Sequence, residues 1–171
     1  MLSSLAILLV LTFPALMVAG GLRDALSYRI PNWISLALAG VFPLAALAVG
    51  LPLSVAGLHL AVGFAALVIG MVMFALRWIG GGDAKLFAAA ALWLGWPAAA
   101  SFVLYAALAG GGLTLVLLSL RSPLVRPVAL MGPGWMHRLA EPQGPVPYGV
   151  AIAIGAVAAL PASPFAAILG L

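Results

Sequence analysis

The chain has 171 residues, of which 66% are hydrophobic and 6% charged, against roughly 25% charged in soluble domains. That excludes a soluble globular domain. Seven basic residues against three acidic ones are too few for a nucleic-acid-binding surface. The absence of cysteine excludes a disulfide framework, a thiol nucleophile and a Cys-ligated metal. An integral membrane protein with a single all-α domain over residues 1–171 is expected.

A helix needs about 20 apolar residues to span a bilayer. The first candidate is 5–22. No basic residue precedes Arg23, so a retained span is expected here rather than a cleaved signal peptide. Residues 33–51 and 53–76 form the second and third spans, with a tight turn at Leu51-Pro52. Residues 84–96 form a short fourth. Residues 98–120 form a fifth, with Pro97 suited to the first helical position. Residues 121–145 contain Pro123, Pro127, Pro133, Pro142 and Pro145 and read as an irregular loop. Residues 146–169 form the sixth span, bent or broken near Pro161 and Pro164.

The basic residues test this map. Arg23 and Arg29 follow the first span, Arg77 and Lys85 separate the third from the fourth, and Arg121, Arg126 and Arg138 lie in the long loop. With six alternating spans all seven fall on one side, which the positive-inside rule makes cytoplasmic. A cytoplasmic (inner) membrane location with both termini on the periplasmic side follows. One span more or fewer would split the charges.

On that cytoplasmic side lie Asp24, at the end of the first span, and Asp83, at the start of the fourth. A carboxylate at membrane depth is costly and marks function by default. The fourth span has 13 residues and rises about 20 Å, against a hydrocarbon core of about 30 Å. Asp83 is therefore expected below the cytoplasmic surface, where loop backbone survives only by lining a wet cavity. Gly80, Gly81 and Gly82 suit such a place, through close backbone approach and unusual dihedrals. The helix starting at Asp83 turns free N–H groups and a positive dipole end toward it.

Two close carboxylates cannot both ionise, so such a pair holds one proton and divides into acid and base. One removes a proton from water and the other protonates a scissile carbonyl. No covalent intermediate, metal or cofactor is needed, and none is expected.

The residues carry a resemblance at this point. Gly80-Gly81-Gly82-Asp83 is a GxGD motif, and Gly80-Gly81-Gly82-Asp83-Ala84-Lys85-Leu86 resembles the signature of the type IV prepilin leader peptidases. Asp24 followed by Ile30-Pro31-Asn32 is similar to that family's first aspartate with its IPN. Pro147-Tyr148-Gly149 resembles the family's final segment. The resemblance covers nearly the whole chain and implies about six membrane helices and a catalytic pair, Asp24 and Asp83. Gly80, Gly81, Gly82, Lys85, Pro31 and Asn32 would support the active-site loop, and Pro147 and Tyr148 would border the substrate. It further implies cleavage of a short basic leader from prepilins or pseudopilins at the cytoplasmic face of the bacterial inner membrane, serving pilus or type II secretion assemblies. Larger members carry a cytoplasmic region with paired cysteines and methylate the new N-terminus. This chain has no cysteine and passes from the first span to the second in about ten residues. It is similar to the short, peptidase-only Flp/Tad-like branch, and methylation is not expected.

Other residues have plainer readings. Lys85 serves equally as a snorkelling topology charge or as a partner of the pair or of a substrate carboxylate. Asn32 serves as a cap for the second span or as a support for the loop. Arg23 and Arg29 read as topology charges and Glu141 as a solvated loop residue. His59 lies near the outer end of the third span, away from the pair. A phosphate-loop reading of residues 80–85 fails, because no strand precedes it and the Walker spacing is absent. The competing class is a small transporter or proton-conducting protein using buried aspartates. It would need polar groups along a path to the far side, where only His59 and a few Ser and Thr residues are available. A scaffold without chemistry leaves the glycine triplet and both acids unexplained.

Overall fold

A computed structural model describes residues 4–170, without the side-chain surroundings of residues 167 and 168. Residues 1–3 and 171, the outermost of the expected domain, lie outside the described residues. The fold is all-helical, as expected for this class of membrane protein, with no strand among the described residues. The long helices are α1 (Ser4–Ser27), α2 (Asn32–Ala48), α3 (Leu53–Ala75), α4 (Gly81–Leu94), α5 (Ala98–Leu120) and, after short α6 (Arg126–Ala129) and α7 (Gly134–Leu139), α8 (Tyr148–Ala159). A 3-10 turn at Leu160–Ala162 and a short α9 (Ala166–Leu169) close the chain. The expected break near Pro161 and Pro164 is present between α8 and α9. The segment 121–145 differs from expectation by containing α6 and α7.

Three helices, α1, α3 and α5, are long and apolar enough to cross a membrane by themselves. Helices α2 and α8 are apolar but shorter, and α4 has 14 residues. The short α4 is the centre of the molecule. It packs against α1, α2, α3, α5 and α8. Ala84, Ala88, Ala89, Ala90 and Ala91 are buried along it, and these small side chains let five neighbours approach one axis. Lipid tails are as apolar as the helix surfaces, so close packing rather than release from water holds such helices together. At the contact of α8 with α5, a Cβ on Gly155 would lie 2.5 Å from the Ala106 backbone nitrogen. Only glycine permits that approach.

The two ends of α4 differ. At its C-terminal end Trp93 stacks on Phe13 at 5.3 Å between ring centroids and meets Phe165 at 5.2 Å. Its indole N–H donates to the Leu38 carbonyl at 2.8 Å. His59 belongs to this cluster, against Phe42 and Phe165, with Nδ1 2.8 Å from the Leu92 carbonyl oxygen. This aromatic cluster anchors one end of the bundle. The other end is open, and there the α1–α2 and α3–α4 connections gather.

Candidate active site

Helix α1 presents one buried stripe to its neighbours: Ala6, Val10, Phe13, Met17, Gly20, Gly21 and Asp24. The spacing of three and four residues is one face of a helix, and Asp24 is its last member. The carboxylate is thus buried because it continues the packing face; its residue is 5% exposed. Immediately beyond, Tyr28 takes a positive φ of 53° and its N–H donates to the Asp24 carbonyl at 2.8 Å. That turn sends Arg29, Ile30 and Pro31 back across the open end.

Asp83 comes from α4, which begins at Gly81, earlier than the expected start at Asp83. The reason is local. Asp83 is the third helical residue, and its Oδ2 accepts the Gly80 N–H at 3.2 Å, the carboxylate half of a capping box. The side chain therefore satisfies one free donor of its own helix and extends the first turn over Gly81 and Gly82. Asp83 is 9% exposed, and its Oδ1 is buried with no hydrogen-bond partner among the described residues.

The two aspartates share their surroundings. Both line a cleft of about 470 Å³ together with Tyr28, Ile30, Asn32 and Gly82. Both also line a second cleft of about 410 Å³, walled by Phe74, Trp78, Ile79 and Tyr148. Asp24, Tyr28, Gly80 and Asp83 are common to the two. A third element reaches the pair from above: the Gly149 N–H, in the first turn of α8, donates to Asp24 Oδ2 at 2.7 Å. The same N–H acts on the Asp83 carboxylate.

The glycine triplet resolves residue by residue. None of Gly80, Gly81 and Gly82 has a positive φ, so the unusual dihedrals expected of them are absent and space is what they supply. A Cβ on Gly80 would lie 2.9 Å from Asp83 Oδ2, and one on Gly82 would lie 3.1 Å from Ile30 Cβ. On Gly81 the nearest atom is the Phe74 ring, at 3.4 Å, an ordinary contact. The outer two glycines are constrained and the middle one is not.

The remaining expected site residues fall in three groups. Pro31 lines the first cleft and is the N-cap of α2. Asn32 sits on the cleft rim and does not cap α2; its Oδ1 accepts the Lys85 ammonium at 2.9 Å. Lys85 itself is exposed and lies outside both clefts, on an apolar groove between α2, α3 and α4. Tyr148 borders the second cleft, whereas Pro147 is buried as the N-cap of α8. His59 Nδ1–H donates to the Leu92 carbonyl, at the far end of α4 from Asp83. Glu141 is exposed.

Several contributors escaped the sequence reading. Tyr28 lines both clefts, and its hydroxyl donates to the Arg138 carbonyl at 3.2 Å. Arg121 donates to the carbonyls of Leu139 and Pro145 at 3.0 and 2.8 Å, and Arg126 to that of Ala140 at 3.2 Å. These arginines pin the segment 121–145 beside the open end. Its prolines signal irregularity but say nothing of those contacts. Gly149 had a signal, a glycine directly after Pro147 and Tyr148, but no partner could be assigned to it.

Among the described residues no group of three or more His, Cys, Asp or Glu side chains is placed to hold a metal ion. The arrangement offers two buried carboxylates, backbone N–H donors from Gly80 and Gly149, and two openings on one pair. That is the equipment for activating water against a carbonyl.

The sequence model of the type IV leader peptidase family matches residues 11–115, more than half of the chain. The matched segment includes Asp24 and the Gly80–Asp83 motif and ends before α8. No curated protein and no solved structure matches the chain.

Proposed function

The chain belongs to the type IV leader peptidase family, and from that premise we propose that it is a membrane aspartic endopeptidase. In this reading it removes the short basic leader from prepilins or pseudopilins at the cytoplasmic face of the bacterial inner membrane. The observation that supports it is that Asp24 and Asp83, arriving from α1 and α4, line the same two clefts.

The chemistry requires one proton shared by the pair. The ionised carboxylate takes a proton from water as the oxygen attacks the scissile carbonyl carbon. The protonated partner gives its proton to the carbonyl oxygen, forming a neutral gem-diol. The first carboxyl then protonates the departing amine as the C–N bond breaks, and the diol returns a proton to the second. The pair ends as it began. Burial of both groups excludes bulk water and strengthens each of these interactions.

Peptidase activity without N-methylation is part of the proposal. The segment 121–145 is the only polar stretch long enough to hold an added activity. Isolated units below about 40 residues usually need disulfides, metals or oligomerisation to fold. The purified chain in nanodiscs, given a prepilin with a basic leader and S-adenosylmethionine, is expected to yield a product shortened by the leader mass alone. Mass spectrometry of the new N-terminus decides both halves. Intact substrate would overturn the peptidase reading, and a gain of one methyl group would overturn the restriction to cleavage.

Six crossings are proposed with the dyad end cytoplasmic, on the one-sided distribution of all seven basic residues. Reporters fused after Arg29, Arg77 or Arg126 are expected to read as cytoplasmic and those at Pro52 or Pro97 as periplasmic. Pro97 is the decisive position, because it follows the 14-residue α4, which rises about 21 Å. A cytoplasmic signal there would mean that α4 enters the membrane without crossing it.

A further inference from the structure

We infer that Gly149 is a positioning residue of the aspartate pair, and that its backbone N–H assigns the base role to Asp24 and the acid role to Asp83. The inference rests on the proposed two-aspartate hydrolysis. It begins from an asymmetry between two carboxylates that otherwise share the same clefts. Asp24 Oδ2 accepts the Gly149 N–H at 2.7 Å, the short distance typical of a charge-assisted bond. That N–H belongs to the first turn of the 12-residue α8, where unpaired donors and the helix dipole favour a negative acceptor. Asp83 Oδ2 accepts the Gly80 N–H at a longer 3.2 Å, and Asp83 Oδ1 is buried with no hydrogen bond among the described residues. The Gly149 N–H also acts on the Asp83 carboxylate, but its hydrogen bond goes to Asp24. A buried oxygen without a partner is costly as an acceptor. Protonation lowers that cost, because a neutral carboxyl is less costly to bury than a carboxylate.

The steps follow. Ionised Asp24, held through Oδ2, takes the water proton on its other oxygen. Asp83 gives its proton to the carbonyl oxygen. On collapse Asp24 returns its proton to the leaving amine and Asp83 recovers one from the diol.

The backbone at position 149 must lie against Asp24 for this to work, and only glycine allows it. A Cβ there would stand 2.9 Å from both Asp24 Cβ and Asp24 Oδ2, and 2.7 Å from Ile30 Cδ1. Two explanations of a Gly149 requirement are thereby separable: packing against Ile30, or placement of Asp24.

The test is cell-free synthesis of the full chain into nanodiscs with glycolic acid in place of Gly149. That replaces the N–H by oxygen and adds no Cβ. Turnover of a prepilin with a basic leader is expected to fall about 10- to 100-fold at unchanged KM, the size expected for losing one hydrogen bond to a charged group. Unchanged kcat would overturn the inference. A second arm uses side-chain variants. Gly149→Ala is expected to lose activity, and adding Ile30→Val, which removes Cδ1, is expected not to restore it, because both contacts with Asp24 remain. Recovery to within about threefold of the Ile30→Val single variant would mean that Gly149 serves packing alone. Cleavage by an Asp24→Asn variant would instead defeat the two-aspartate reading itself, so the two failures are distinct.

Discussion

Asp24→Asn and Asp83→Asn are each expected to reduce leader cleavage by at least about 10²- to 10⁴-fold, the range of a general acid or base, while the protein still inserts and folds. An amide neither takes the water proton nor donates as a carboxylic acid does, so either change leaves half of the cycle without a partner. The fold tolerates the change for a local reason. The amide introduced by Asp24→Asn keeps an oxygen for the Gly149 N–H, and the one introduced by Asp83→Asn keeps an oxygen for the Gly80 N–H. Those are the two bonds that Asp24 and Asp83 now accept. Replacing a buried carboxylate by an amide also removes a desolvation cost. Thermal unfolding in detergent is therefore expected within a few degrees of the parent protein. The decisive measurement is the gel shift of a co-expressed prepilin. Normal processing by either variant would remove the pair from the mechanism, and loss of the folded protein would show the carboxylates to be structural.

Gly80→Ala and Gly81→Ala are expected to separate sharply although the residues are adjacent. A Cβ on Gly80 would stand 2.9 Å from Asp83 Oδ2, so alanine displaces the carboxylate or breaks its bond to the Gly80 N–H. Misplacement of a reacting group by about 1 Å costs roughly 10²-fold, and a loss of that order in turnover is expected. On Gly81 the added methyl meets only the Phe74 ring at 3.4 Å. Position 81 is helical with an ordinary φ, so alanine also lowers the entropy lost on folding, worth about 0.4–1 kcal/mol. Gly81→Ala should thus keep full activity and melt no lower than the parent. Equal damage from both variants would show that the motif needs backbone freedom rather than space.

Much of the candidate site was legible in the residues alone. In a chain with three acidic residues, an aspartate after three glycines at the edge of an apolar run could be singled out by cost alone. Its partner followed from the side assigned to the basic residues. Membrane class, helix order, the broken last helix and the choice of a candidate pair all rest on composition, run length and proline position, which are local properties. The sequence could not say which faces meet. Spans this uniformly apolar carry no polar stripe to mark an inside, so nothing in α4 announced that it is central. Its alanines, and glycines such as Gly155, decide that by how closely backbones approach. Tertiary structure alone brings α8 over α1, so that Gly149 reaches Asp24. It alone folds residues 121–145 onto Arg121 and Arg126. Most of these are backbone contacts between segments far apart in the chain. A backbone N–H is the same in every residue but proline, so the sequence carries no mark of where it will be spent.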